Sequence, residues 1–206
     1  MGMLSLDDGI KIVRLARTAI EEYLKSNKIY TVTEEWGIPK KETGVFVSLY
    51  TYPEGELRGC IGFPLPVMSL PEAVVKAAIA AATEDPRFPP VELAEMDKIV
   101  IEASVLSVPE KIEFMNPREL PSKILIGRDG LMIKSSRGSG LLLPQVPVEY
   151  GWDAEEFLCH LCIKAGLPAT YWLTGKFDIY RFTAEIFAEE SPRGKVVKKE
   201  LKGCEV

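Results

Sequence analysis

Two runs of β-forming residues joined by Tyr52-Pro53-Glu54-Gly55, with a capped helix soon after, constrain this chain more than any other stretch. Gly44 to Tyr50 and Glu56 to Phe63 suit a pleated, half-buried surface, and proline with glycine between them marks a hairpin loop. Ser69-Leu70-Pro71-Glu72 then carries a capping-box pattern with proline in the first turn. An alanine-rich helix is expected from there to about Thr83. Asp85-Pro86-Arg87-Phe88-Pro89-Pro90 stops it, because three prolines within five residues cannot continue a helix.

Other elements follow from spacing. Residues about 6 to 26 predict an amphipathic helix, with Ile12, Ala16, Ala19, Ile20 and Tyr23 on one face and Ser5 with Asp8 as a capping box. The stretch from Asn27 to Gly44 is mixed and polar, with Trp36-Gly37 in a turn. Ile99 to Leu106 alternates as a strand does, and Asn116-Pro117-Arg118-Glu119 opens a short helix. Lys123 to Leu143 reads as a meander with turns at Arg128-Asp129-Gly130 and Ser135 to Gly140. Asp153 caps a helix with Glu156, and Gly166 ends it. Gly175 to Ala188 reads as one strand, with Phe177, Ile179, Arg181, Thr183, Glu185 and Phe187 sharing a face. Hairpins mixed with helices predict an α+β fold with a mainly antiparallel sheet flanked by helices. A domain boundary would fall near residues 90–97 or 144–152.

Composition excludes some function classes. The 206 residues allow one domain or two small ones, and 47% apolar with 27% charged residues is ordinary for a soluble globular protein. A net charge of −5 argues against the broad basic footprint of a nucleic-acid binder. Only the stretch from Pro192 to Val206 is locally basic; a solvated tail is expected there, a weak contact with an anionic partner being the alternative. Cys60, Cys159, Cys162 and Cys204 do not form a secreted disulfide framework. No basic segment followed by an apolar run opens the chain, and the apolar helix from Ala73 to Thr83 is short and interrupted by Lys76. A reduced, cytoplasmic protein with no membrane contact is expected.

Leu57-Arg58-Gly59-Cys60-Ile61-Gly62 carries the strongest chemical signal. In a strand, residues two apart share a face. Leu57 and Ile61 would face the core, and Arg58 and Cys60 would share the other side. A guanidinium beside a thiol favours the thiolate, the nucleophilic form. Gly59 and Gly62 would allow a ligand or another backbone close approach. The competing reading is a buried, inert cysteine acting as a small hydrophobe.

Three further segments carry candidate chemistry. In Asp85 to Pro90, a rigid loop offers Arg87 for a carboxylate or phosphate, against a plain helix stop with an Asp85–Arg87 contact. Gln145, in the proline-flanked loop Pro144-Gln145-Val146-Pro147, is a candidate hydrogen-bonding group for a ligand. Cys159-His160-Leu161-Cys162 contains the one histidine, but no second ligand pair accompanies it, so two core thiols are expected rather than a zinc site. A Cys60–His160 pair would need the fold to bring helix and strand together. Glu102 and Glu113 fall on or near strands with no spacing that marks an acid–base pair. Neither G-x-S-x-G nor G-x-G-x-x-G is present, and Lys134 to Gly140 lacks the residue order of a P-loop. No cofactor and no metal are expected.

The six-residue motif resembles the signature of the AMMECR family, named for the Alport syndrome, mental retardation, midface hypoplasia and elliptocytosis region. Asp85 with Arg87-Phe88-Pro89-Pro90, Leu143-Pro144-Gln145-Val146, Gly151-Trp152 and Lys164-Ala165-Gly166 match in order and spacing. The resemblance covers roughly residues 8 to 190, leaving 191–206 as a basic tail, and the chain looks like one of the stand-alone archaeal members. It implies an α+β fold with a larger and a smaller lobe, and a cysteine motif at a cleft. The family's biochemical activity is not established. Its domain occurs in some bacteria alongside a Memo-like protein and a radical-SAM protein, which implies possible associates. His160 is not part of the family pattern.

Two functions are therefore expected candidates. One is an enzyme with Cys60 as nucleophile or covalent carrier, Arg58 depressing the thiol pKa or holding an anion, and Arg87 and Gln145 orienting a small anionic or carbonyl substrate in the cleft, with Gly59, Gly62 and Asp85 lining the site. The other is a non-catalytic binding or adaptor module in which the motif from Leu57 to Gly62 is structural.

Overall fold

The computed structural model describes residues 4–40 and 42–200. Cys204 and the rest of 201–206 lie outside the described residues. The chain divides into two units. The first takes in the residues up to Leu106 together with Glu185–Lys199, and the second takes Ser107–Ala184.

The first unit opens on α1, Leu6–Ser26, capped by Ser5 with Asp8 in the predicted capping box. Its face of Ile12, Val13, Leu15, Ala16, Ala19 and Ile20 is fully buried. Then come β1 (Val45–Thr51), β2 (Leu57–Phe63), α2 (Leu70–Thr83) and β3 (Ile99–Leu106). Ser69 and Glu72 make the reciprocal cap of α2, and Pro71 sits in its first turn. With small alanines packing closely against neighbours, α2 buries eleven of its fourteen residues. One core joins α1, α2 and the inner face of β1 and β3.

The second unit contains β4 (Glu110–Lys111), β5 (Gly130–Ser135), β6 (Gly138–Leu142), α3 (Gln145–Tyr150), α4 (Ala154–Lys164) and β7 (Asp178–Phe182). Its own core centres on Leu131, Ile133, Phe157, Leu161, Trp172 and Ile179. β8 (Ala184–Glu189) and β9 (Val196–Lys199) complete the first unit. The sheets run β2-β1-β3-β8-β9 and β4-β7-β5-β6. β1 is antiparallel to both β2 and β3, as are β9 to β8 and β7 to β5. This is the expected α+β architecture of antiparallel sheets flanked by helices. No helix among the described residues is long and apolar enough to cross a membrane.

Five expectations need correction. The division falls after Leu106 and after Ala184, not near 90–97 or 144–152. Residues 90–97 lead directly into β3, the partner of β1, and 144–152 lie between elements of one core. The single strand predicted for 175–188 is two strands in two sheets, separated at Thr183. Thr183 exchanges hydrogen bonds with Ser107, where the chain first enters the second unit. Residues 145–150 form α3 rather than a loop, since Pro147 lies in the first turn, where a missing N–H costs nothing. Asn116 to Glu119 forms only a 3-10 turn. Within the stretch expected as a solvated basic tail, Val196–Lys199 pairs with β8, and Lys198 bonds Glu185 at 2.6 Å.

A buried ion pair ties the first unit's ends together. Arg17 Nε and Nη2 donate to the two oxygens of Glu189 at 2.8 and 2.5 Å. Arg17 also donates to the carbonyls of Met96 and Ile99, and Glu189 accepts the N–H of Ile101. Glu21 lies 3.4 Å from Arg17 and Arg14 lies 3.7 Å from Glu189, so the buried charges sit in a satisfied polar network.

Candidate functional site

β2 is the edge strand of the five-stranded sheet. Cys60 lies directly opposite Ser48 on β1, and Gly62 opposite Phe46. The register slips between Leu49 and Tyr50: Leu49 faces Gly59, but Tyr50 faces Leu57. Arg58 is thus the extra residue of a β-bulge, a device that re-aims side chains. Strict alternation, which paired Arg58 with Cys60 and Leu57 with Ile61, fails for this reason. Across the pairing, Leu57 belongs with Tyr50, Ser48 and Cys60, while Ile61 packs on the core.

Both glycines are needed for contact. A Cβ at residue 59 would overlap the carbonyl oxygen of Ala81 on α2, and one at residue 62 would overlap the Phe46 ring. Backbone and ring, rather than a ligand, occupy the space these glycines leave.

Arg58 does not meet the thiol. Its Nε and Nη2 make a bidentate pair with Glu95 at 3.0 and 3.1 Å, and Nη1 donates to the carbonyl of Pro89 at 2.9 Å. Nη2 also reaches the carbonyl of Pro90 at 3.4 Å. The guanidinium therefore pins the proline loop after α2, with fork geometry matching its partners.

That loop delivers Asp85 and Arg87. Asp85 is 5% exposed, and its Oδ2 accepts the backbone N–H of Cys60 at 2.8 Å. The same oxygen accepts Arg87 Nη2 at 2.7 Å, while Oδ1 accepts Arg87 Nε at 2.9 Å and the Arg87 backbone N–H at 3.1 Å. The Arg87 guanidinium, followed by burial in the opposite sense, and the Cys60 and Arg87 amides leave the Asp85 carboxyl far below the usual carboxylate range. The Arg87 side chain is 53% exposed and lies against the Phe88 ring, so its outer edge is presented to solvent.

The Cys60 thiol receives the Ser48 hydroxyl at 3.1 Å. Burial pushes this thiol above its ordinary value. The Ser48 hydrogen bond and the Arg87 charge act the other way, and the carboxylates of Asp85 and Glu102 add to the rise. Burial thus disfavours the thiolate, while one hydroxyl and one guanidinium are placed to favour it. Glu102 faces Ser48 across the β1–β3 pairing and bonds Lys199 Nζ at 2.7 Å. Sequence reasoning passed over Ser48, Glu95 and Lys199. Ser48 alone carried a signal, a hydroxyl on the alternation of Phe46 and Tyr50, but the bulge hides which residue of β2 it meets.

The other candidates lie in the second unit. Gln145 opens α3 and is 7% exposed. His160 stacks on Trp152 at 3.8 Å between ring centroids, and Trp152 on Tyr150 at 4.9 Å. On α4, Cys159 accepts the Trp172 indole N–H at 3.4 Å, and Cys162 is fully buried. Among the described residues, no group of three or more His, Cys, Asp or Glu is placed to hold a metal ion. A cavity of about 210 Å³ lies at the opposite end of α2, against Thr33, Trp36, Lys40 and Glu72, and none of the site residues lines it.

The profile of AMMECR1 domains matches residues 13–187 of this sequence. The chain belongs to the AMMECR1 family. Protein MJ0810 of Methanocaldococcus jannaschii is 55% identical over 202 residues, covering 98% of this chain and 100% of that protein. Protein PH0010 of Pyrococcus horikoshii is 56% identical over 198 residues, covering 92% and 94%. The crystal structure of PH0010, described as an uncharacterized protein, superposes with a TM-score of 0.90, covering 94% of this chain and 97% of that one. In this AMMECR1 chain the motif from Leu57 to Gly62 and the segment from Asp85 to Pro90 form one hydrogen-bonded unit. No activity accompanies the family match.

Proposed function

We propose that this AMMECR1 chain is an enzyme in which Cys60 bonds covalently to a small substrate whose anionic or carbonyl oxygen is held by Arg87. One observation carries the reading: Asp85 Oδ2 accepts both the Cys60 amide and Arg87 Nη2. A single buried carboxylate sets a sulfur nucleophile and a guanidinium donor in fixed register. Such preorganisation costs nothing at the moment of reaction.

The step is thiol addition to a carbonyl carbon. The thiol proton leaves to water, the sulfur lone pair forms the carbon–sulfur bond, and the carbonyl π pair moves onto oxygen. Arg87 Nη1, which Asp85 leaves unused, donates to that oxygen. Ser48 holds the sulfur in place before attack. Arg58 acts at one remove, by pinning the loop that carries Arg87. Every group invoked lies in the first unit.

A second reading is favoured by Gly59 and Arg58, whose contacts are those of packing. In it the motif is a scaffold and Arg87 a recognition group of a binding module.

Alkylation of the native protein by iodoacetamide from pH 5 to 10, read cysteine by cysteine by mass spectrometry, separates the two. The enzyme reading expects Cys60 to react in the folded state, small carboxylates or inorganic phosphate to protect it, and Arg87→Ala to abolish protection. A Cys60 that stays unmodified until the protein unfolds overturns it in favour of the binding module.

A further inference from the structure

The face of the first unit's sheet turned away from its core carries a polar row that continues past Cys60 and Ser48 to groups the proposed step does not use. Cys60 on β2 meets Ser48 on β1 at 3.1 Å, Ser48 stands opposite Glu102 on β3, and Glu102 Oε2 meets Lys199 Nζ on β9 at 2.7 Å. Glu102 is 5% exposed. A buried carboxylate without a cationic partner is costly, and its field reaches neighbours through a medium that screens poorly. Lys199 lies beyond residues 13–187, the segment matched by the family.

We infer that Lys199 is a positioning residue for Cys60: by pairing with the buried Glu102 it offsets a negative charge that would otherwise oppose formation of the Cys60 thiolate. The inference rests on the reading of Cys60 as a nucleophile.

The groups around the thiol are few enough to name. Arg87 favours the thiolate; Asp85 and Glu102 oppose it. Asp85 is already neutralised by Arg87, and Arg58 by Glu95. Glu102 is the remaining acid, and Lys199 is the cation it pairs with. The Lys199 ammonium also lies 6.0 Å from the centre of the Tyr50 ring, on the Ser48 side of β1, which holds the side chain over the row. β9 brings it there by pairing Lys199 with Ile186 of β8. The lysine that the sequence placed in a solvated tail is thereby built into the sheet.

The test is the pH profile of Cys60 alkylation by iodoacetamide in the full chain, for wild type, Lys199→Met, Lys199→Arg, Glu102→Gln and the Lys199→Met/Glu102→Gln double variant. Lys199→Met is expected to slow alkylation roughly threefold near pH 8 and move the profile to higher pH. Lys199→Arg restores the wild-type profile, and Glu102→Gln moves it to lower pH. In the Glu102→Gln background, Lys199→Met moves the profile back toward that of wild type, because a cation without its anion is removed. Superposed profiles for wild type, Lys199→Met and Glu102→Gln overturn the inference while leaving Cys60 a nucleophile. Slowing by Lys199→Met that Lys199→Arg does not restore, or that comes with labelling of the buried Cys162, also overturns it, since that marks a loss of structure rather than of charge. A wild-type thiol that does not react in the folded state overturns both proposals. Should Lys199→Met fail to fold, Glu102→Gln against wild type decides by the direction of its shift.

Discussion

The carboxylate of Asp85 accepts the backbone N–H of Cys60 at 2.8 Å, joining the loop after α2 to the edge strand that carries the thiol. An edge strand has amides with no neighbouring strand to bond. Here a side chain satisfies one of them at the chemically interesting position.

Asp85→Asn is expected to destabilise the protein by about 1–3 kcal/mol, because a charge-assisted network loses its anion while Arg87 and the Cys60 amide keep their positions. The pH dependence has a definite sign. The folded carboxyl titrates far below its unfolded value, so its contribution is fully present above about pH 4 and is lost as pH falls toward the folded value. Chemical denaturation from pH 2 to 6 should show wild type losing stability on acidification and Asp85→Asn losing less.

Arg58→Lys should behave as a structural change. Lysine cannot reproduce the fork that meets both oxygens of Glu95 and the Pro89 carbonyl. A loss of about 1–2 kcal/mol is expected, with faster amide exchange across 85–91 measured by hydrogen–deuterium exchange. The Cys60 alkylation profile should move less than it does in Arg87→Ala, which removes a charge acting directly on the thiol.

Gly59→Ala tests the packing of the motif. Its Cβ would overlap the Ala81 carbonyl, a backbone atom that cannot rotate away. The expected cost is about 1–3 kcal/mol in thermal or denaturant unfolding, or a displaced β2. An alanine accepted without cost would mean that α2 and β2 are less closely packed than described.

Cys162 serves as an internal standard for the thiol chemistry. Burial raises its pKa to about 11, so it should resist alkylation in the folded protein through pH 9. Labelling of Cys162 before Cys60 would report opening of the second unit's core rather than a property of the site.

Arg17→Met should cost about 3–5 kcal/mol, since it leaves the buried Glu189 with only Arg14, at 3.7 Å, as a cationic partner. The double variant Arg17→Met/Glu189→Leu should recover much of that loss, measured by denaturant unfolding.

Helices α1, α2 and α4 were legible because their caps are written locally: Ser5 with Asp8, Ser69 with Glu72, Asp153 with Glu156. The hairpin of β1 and β2 and the α+β class were legible from period and turn chemistry. Local signals could not show the bulge at Arg58, because alternation counts residues and a bulge adds one. The Asp85–Arg87 contact was foreseen as a helix-stop feature, yet its link to the Cys60 amide is a tertiary fact. Likewise, nothing near Glu102 or Lys199 in sequence announces that 97 positions of chain separate two halves of one ion pair. The strand predicted for 175–188 is β7 and β8, divided by the change of sheet at Thr183, and residues of both parities are buried, Phe182 and Ile186 as well as Ile179 and Phe187.

The order in which the chain is made gives the split first unit a further meaning. On a ribosome, α1 through β3 emerges first, with Arg17 already placed on its helix but Glu189 not yet translated. The free edge of β3 must wait while all of Ser107–Ala184 is synthesised before β8 can close it. A nascent chain of this protein therefore carries an exposed sheet edge and an Arg17 that has Glu21 but not yet Glu189 for the time it takes to make the second unit, and translation speed across that unit sets how long the molecule is open to wrong pairing.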